Sequence, residues 1–152
     1  MEKSIFVTMT TEKLSLDQAY AFVDDDAHGA INIFTGVVRN HHQGKQVTGI
    51  TYDAHDCLAE NVLQEICIEA QNQWADTKIY VAHFKGELAI GGVSIVIAVS
   101  SAHRAEGYDT NRYLIEEIKK RLPVWKQEHY LEGKSEWLPG HSLAEKDEKK
   151  AC

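Results

Sequence analysis

Lys78-Ile79-Tyr80-Val81-Ala82-His83-Phe84 and Val93-Ser94-Ile95-Val96-Ile97-Ala98-Val99 are two β-rich runs separated by a Gly-rich connection that holds Gly86, Gly91 and Gly92. Parallel neighbours need a crossover of a dozen or more residues, usually a helix, and this connection is too short to provide one. Short links of this kind recur along the chain, so an α+β fold with a mostly antiparallel sheet is predicted rather than an alternating βαβ array. On the N-terminal side, residues 58–74 form the clearest helix: Leu63, Ile66, Cys67, Ala70 and Trp74 recur at spacings of three and four. On the C-terminal side a helix is predicted from His103-Arg104 to about Leu122, with Leu114, Ile115, Ile118 and Leu122 apolar. Pro123 ends it, because the residue before a proline avoids helical geometry.

Further out, Ile5-Phe6-Val7 reads as a strand, and Ser15 as the N-cap of a helix reaching about Asp24. Residues 30–38 and 47–52 are predicted to pair as a hairpin across the loop His41-His42-Gln43-Gly44-Lys45. A last hairpin is predicted from 125–130 and 135–138, turning at Glu132-Gly133-Lys134. The whole chain, 1–152, is expected to be one domain, with a charged tail from about residue 140.

The chain carries 23 acidic and 16 basic side chains, a formal net charge of −7, which argues against a general nucleic-acid binder. Cys57, Cys67 and Cys152 are odd in number and lack CxxC spacing, so no disulfide framework is expected. The polar start is unlike a signal peptide, and no apolar run approaches the ~20 residues that cross a bilayer. A reducing cytoplasm is the expected home.

Against that acidic background the run Lys119-Lys120-Arg121-Leu122-Pro123-Val124-Trp125-Lys126-Gln127-Glu128 concentrates cations. Arg39 closes one apolar run and His103-Arg104 follows another, where a helix start suits an anion. Three segments ending in cations point to one anion pocket. The plainer readings differ by residue. Lys119 borders the apolar stripe and could simply snorkel there, while Lys120, about 100° further round, belongs in solvent. Gly36 marks a bulge or a close approach. Glu128 either orients or balances Lys126. His41 and His42 are adjacent and lack ligand spacing, so no metal is expected. Cys67 belongs to the core, and Cys57 has no context that would activate its thiol.

The ordered set Phe34-Thr35-Gly36-Val37-Val38-Arg39-Asn40, His83 with Gly86-Glu87-Leu88, Ser101-Ala102-His103-Arg104, Lys119 to Pro123, Trp125, Lys126, Glu128 and Trp137 resembles the family of the large, catalytic subunit of molybdopterin synthase. The resemblance implies an α/β-hammerhead-like fold with a small β subdomain. It implies sulfur transfer from the C-terminal Gly-Gly thiocarboxylate of a small ubiquitin-like subunit to cyclic pyranopterin monophosphate, forming the dithiolene of molybdopterin. It also implies a homodimer at the centre of a heterotetramer, and neither metal nor organic cofactor. By the same resemblance Val37, Val38, Arg39, His103, Arg104, Lys119, Lys126, Gln127 and Glu128 bind substrate, with Lys119 the main catalytic residue and Lys126 a supporting cation. Charge and periodicity alone stop at an anion pocket. That pocket would also suit a non-catalytic module for the tail of a ubiquitin-like protein, or an enzyme acting on a small phosphate ester.

Overall fold

In chain order the elements are β1 (Ile5–Thr10), α1 (Leu16–Val23), β2 (Ala30–Val37), β3 (His41–His42), β4 (Lys45–Ala54), α2 (Asp56–Gln73), β5 (Thr77–Phe84), β6 (Gly86–Ala89), β7 (Val93–Ser101), α3 (Arg104–Arg121), β8 (Val124–Tyr130) and β9 (Trp137–Pro139). They come from a computed structural model, which describes residues 3–133, 135 and 137–139. β5 and β7 pair antiparallel, as their short connection requires. They form the middle of a four-stranded sheet ordered β1-β5-β7-β2, in which only β1 runs parallel to its neighbour.

Both faces of that sheet are covered, which explains why β7 reads as an unbroken apolar run instead of an alternating one. Ile95, Ile97 and Val99 join Leu63 and Ile66 of α2 and Leu114 of α3 in the main core. Val96 and Ala98 face the other way, packing with Ala19 and Val23 of α1. Each large apolar side chain buried this fully contributes roughly 1.5–3 kcal/mol. Helix ends follow local chemistry. Ser15 Oγ accepts the Gln18 N–H at 3.1 Å, and His55 Nδ1 accepts the Leu58 N–H at 3.3 Å. Leu122, held extended before Pro123, closes α3.

The hairpin predicted between 30–38 and 47–52 does not form. β2 lies along β7 instead, with a register shift between Gly36 and Val37. A strand buried on both faces must have its backbone edge satisfied, and β2 supplies that edge for β7. Gly36 is the close approach its position suggested, since a Cβ there would stand 2.8 Å from Ile95 Cγ2. The chain then leaves the sheet: the Val38 N–H donates to Gly92 O, and the Gly91 N–H donates back to Val38 O at 2.7 Å. β4 builds a second, five-stranded sheet ordered β3-β4-β8-β9, with β6 also paired to β4, on the side away from β8. This is the small β subdomain, and β6 had been hidden in the Gly-rich connection. The last hairpin forms as β8 and β9, with Gly133 at φ +98. The tail from about residue 140 lies outside the described residues. Among the described residues no helix is long and apolar enough to cross a membrane.

Candidate active site

A cavity of about 430 Å³ opens where the two sheets meet the end of α3. The edge strand β2 brings Phe34, Gly36 and Val37 to it, and Arg39 follows as the chain crosses between sheets. His83 comes from near the end of β5, and Ser94 and Ile95 from near the start of β7. The last turns of α3 present Ile115, Ile118 and Lys119. Side chains alternate along a strand, so Lys126 and Glu128 of β8 share the face that lines the cavity. Register sets Tyr52 opposite Lys126 and Ile50 opposite Glu128, which completes that wall from β4.

The electrostatics are uneven. Lys119 is held below the ordinary lysine value, first by loss of water around it, then by Lys126 and by Arg39. Three cations thus act on one another in a partly dry space. The carboxylate among the lining residues, Glu128, is buried and otherwise engaged: it accepts the Tyr130 hydroxyl at 3.0 Å and lies 3.9 Å from His42 Nε2. His42 Nδ1 in turn stands 3.4 Å from the Arg39 guanidinium. Glu128 therefore organises the Arg39 side of the site through His42; its partners are Tyr130 and His42, not Lys126.

His83 is the second unusual group. Its Nδ1 lies 2.8 Å from the Phe84 carbonyl oxygen. A carbonyl only accepts, so Nδ1 carries the hydrogen and Nε2 keeps a bare lone pair. The ring packs edge-on against Tyr52, with centroids 5.3 Å apart. Burial, reinforced by the Lys119 charge and opposed by the Phe84 bond, lowers its pKa to about 4, so the imidazole is neutral at physiological pH. Burial also raises the Tyr52 phenol, with Glu128 adding to the effect and a bond from Ser94 opposing it.

The remaining cations of the run 119–121 face elsewhere, as helical geometry predicts. Lys120 is exposed, 3.5 Å from Glu117. Arg121 points to α2 and makes a two-pronged pair with Glu69, at 2.6 and 2.9 Å. Cys67 is a free, buried thiol whose pKa burial raises to about 12, consistent with a core role.

Not all of the sequence candidates meet. Val37, Arg39, Lys119, Lys126 and Glu128 line the cavity. Val38 is buried beneath it with Val47 and Ile50, and Gln127 projects from the opposite face of β8. His103 is the N-cap of α3, and Arg104 its first residue. At a rise of ~1.5 Å per residue, Arg104 and Lys119 are separated by about 22 Å along one rigid helix. His103 lies instead beside a second cavity, about 310 Å³, with Trp74, Asp76 and Glu106. Sequence reasoning missed His42, Tyr52 and Ser94. The signal for Tyr52 was its alternation with Ile50, which becomes informative only once β4 is known to pair with β8.

The sequence pattern of the family described as MoaE protein matches residues 9–121. The chain is 41% identical over 140 residues to the molybdopterin synthase catalytic subunit of Synechococcus elongatus, an alignment covering 91% of this chain and 85% of that one. The crystal structure of molybdopterin synthase from Staphylococcus aureus superposes with a TM-score of 0.83 at 34% identity, covering 86% of this chain and 95% of that one. A chain from a protein–protein complex of subunits 1 and 2 of the molybdopterin-converting factor of Helicobacter pylori shares the fold, with a TM-score of 0.65 at 19% identity over 84% of this chain and 91% of that one.

Proposed function

The chain belongs to the MoaE protein family, and from that premise we propose that it is the catalytic subunit of a molybdopterin synthase, a sulfurtransferase of molybdenum cofactor biosynthesis. It moves sulfur from the C-terminal thiocarboxylate of a small ubiquitin-like subunit onto cyclic pyranopterin monophosphate, forming the dithiolene. The supporting observation is the group Arg39, Lys119 and Lys126 gathered in one partly dry cavity. Donor thiocarboxylate and substrate phosphate are both anions, and two unit charges 4 Å apart repel by about 4 kcal/mol even at an effective dielectric near 20. Fixed cations in a partly dry pocket cancel that repulsion and stabilise charge as it develops on sulfur. Lys119 has the central role, at the donor terminus. Lys126 supports it, and Arg39 holds the phosphate. The sulfur arrives on the partner protein, so the chemistry calls for no resident cofactor, and the cytoplasm suits its thiol-bearing product.

His103 and Arg104 belong to the same chemistry through a second copy of the chain. One α3 is too long to bring both of its ends to one cavity, so a homodimer, flanked by two small subunits, would place them in the neighbour's pocket. Ile33 and Phe34 stand exposed on opposite faces of the edge strand β2, an apolar edge suited to such a contact. The test is reconstitution with thiocarboxylated small subunit and precursor. Wild-type chain should yield molybdopterin, and Lys119→Ala and Arg104→Ala should each be nearly inactive. Co-expressing those two variants should recover about a quarter of wild-type activity, because half of the dimers then hold one intact pocket. Wild type that makes no molybdopterin refutes the activity. Co-expression without recovery refutes the shared pocket alone.

A further inference from the structure

We infer that His83 is a catalytic base of this site: its Nε2 takes the proton from the water that cleaves the acyl–sulfur bond joining the small subunit to the substrate. This rests on the sulfur-transfer reading above. When a thiocarboxylate sulfur bonds to a substrate carbon, the sulfur remains acylated, and carrier and substrate are covalently joined. Water must then add to the carrier's carbonyl carbon. The carbon–sulfur bond breaks, its electron pair stays on sulfur as a thiolate, and the carrier leaves as a carboxylic acid that gives its own remaining proton to solvent. The attacking water gives up a proton as it adds, and some group in the cavity must accept it.

The lining leaves His83 as the suitable acceptor. Arg39, Lys119 and Lys126, as guanidinium and ammonium groups, have no lone pair to offer. Glu128 already accepts from Tyr130 and lies against His42, and His42, the other imidazole of the lining, has Nδ1 facing the Arg39 guanidinium and Nε2 facing Glu128. The Tyr52 hydroxyl is a donor whose ionisation burial opposes. His83 lines the cavity with Nδ1 committed to the Phe84 carbonyl, and its Nε2 has no hydrogen-bond partner among the described residues. That bond and the edge-on Tyr52 fix the ring, so the lone pair is aimed before any substrate enters. In the empty cavity burial and Lys119 keep the imidazole a weak base. Two bound anions offset the Lys119 field, and the same ring becomes more basic when the reaction needs it. Once protonated it stands among three cations, which drives the proton on to the departing thiolate and resets the base.

The decisive variant is His83→Asn in the complete complex, since an asparagine amide can still donate to the Phe84 carbonyl but offers nothing at the Nε2 position. Thiocarboxylated small subunit and cyclic pyranopterin monophosphate are mixed in a single turnover, quenched, and the small subunit is weighed by mass spectrometry. The folded variant should form the carrier–pterin adduct at the wild-type rate, resolve it 10²–10⁴-fold more slowly, and accumulate it. Normal resolution, or loss of activity without adduct, overturns the assignment. A second measurement does not depend on the variant's folding. In wild type, adduct resolution should slow as pH falls through the pKa of the loaded site, while adduct formation does not. Resolution that stays flat with pH also overturns it. Wild type that produces neither adduct nor molybdopterin instead removes the sulfur-transfer reading beneath.

Discussion

Lys119 and Arg121 sit two residues apart in the last turn of α3, carry the same charge, and live in opposite surroundings. Arg121 is answered on the spot: Glu69 grips its guanidinium at 2.6 and 2.9 Å, and Glu117 adds a contact at 3.4 Å. These carboxylates raise the Arg121 pKa, and the guanidinium bond from Arg121 in turn lowers that of Glu69. Lys119 faces Lys126 and Arg39 and is pushed the other way. A matched fork fastens α3 to α2 and is complete without a guest. An unmatched cluster works against folding and becomes favourable only when anions arrive. Neighbours in sequence can thus be divided into fastening and function by asking whether the charge is balanced from within.

The largest effect expected from this contrast is kinetic. Lys119→Ala should lower molybdopterin formation by 10²–10³-fold, equivalent to about 3–4 kcal/mol of barrier, while leaving the melting temperature unchanged or slightly raised. A clear loss of thermal stability in that variant would break the contrast, because Lys119 would then be fastening too.

Next in size is the pH dependence that burial, with help from the Lys119 charge, imposes through His83. Its pKa falls from 6.5 in the unfolded chain to about 4 in the folded one. Between those values the unfolded chain takes up a proton that the native state refuses, so stability falls as pH drops from 6.5 and the loss is complete below 4. The linkage amounts to about 3 kcal/mol. Urea midpoints measured across this range should show it in wild type, and should be flatter in His83→Asn. Equal slopes in the two proteins would show that His83 is not the group responsible.

Smallest are the changes at the balanced and solvated cations. Arg121→Ala removes a fork that is partly open to solvent, and should cost about 1 kcal/mol, read as a lower urea midpoint, with turnover nearly unchanged. Lys120→Ala should stay within about 0.5 kcal/mol of wild type. A fall in turnover for either would sharpen the contrast by extending the functional cluster beyond Lys119.

Much of this was legible from residue order. Ser15 caps its helix, Pro123 ends α3, and helical periodicity separates Lys119 from Lys120. Strand partners were not legible in the same way. The nearest candidate for residues 30–38 was 47–52, yet β2 went to β7, because a strand buried on both faces takes its partner from wherever one is available. Tyr52 reaches the site through another non-local pairing, β4 with β8, and no spacing rule along the chain announces it. One shortfall was avoidable. The length of α3 could be read from the sequence, and it already forbids Arg104 and Lys119 from meeting within one chain.

That length has an evolutionary corollary. α3 works as a gauge block, with one working tip at the strand junction and the other at the cavity. A residue inserted between the tips would turn one of them by about 100° and carry it about 1.5 Å away, spoiling both settings at once. The hairpin tip at Gln43 and Gly44, by contrast, bears no such fixed span. Drift in chain length should therefore collect at that tip and be purged from the interior of α3.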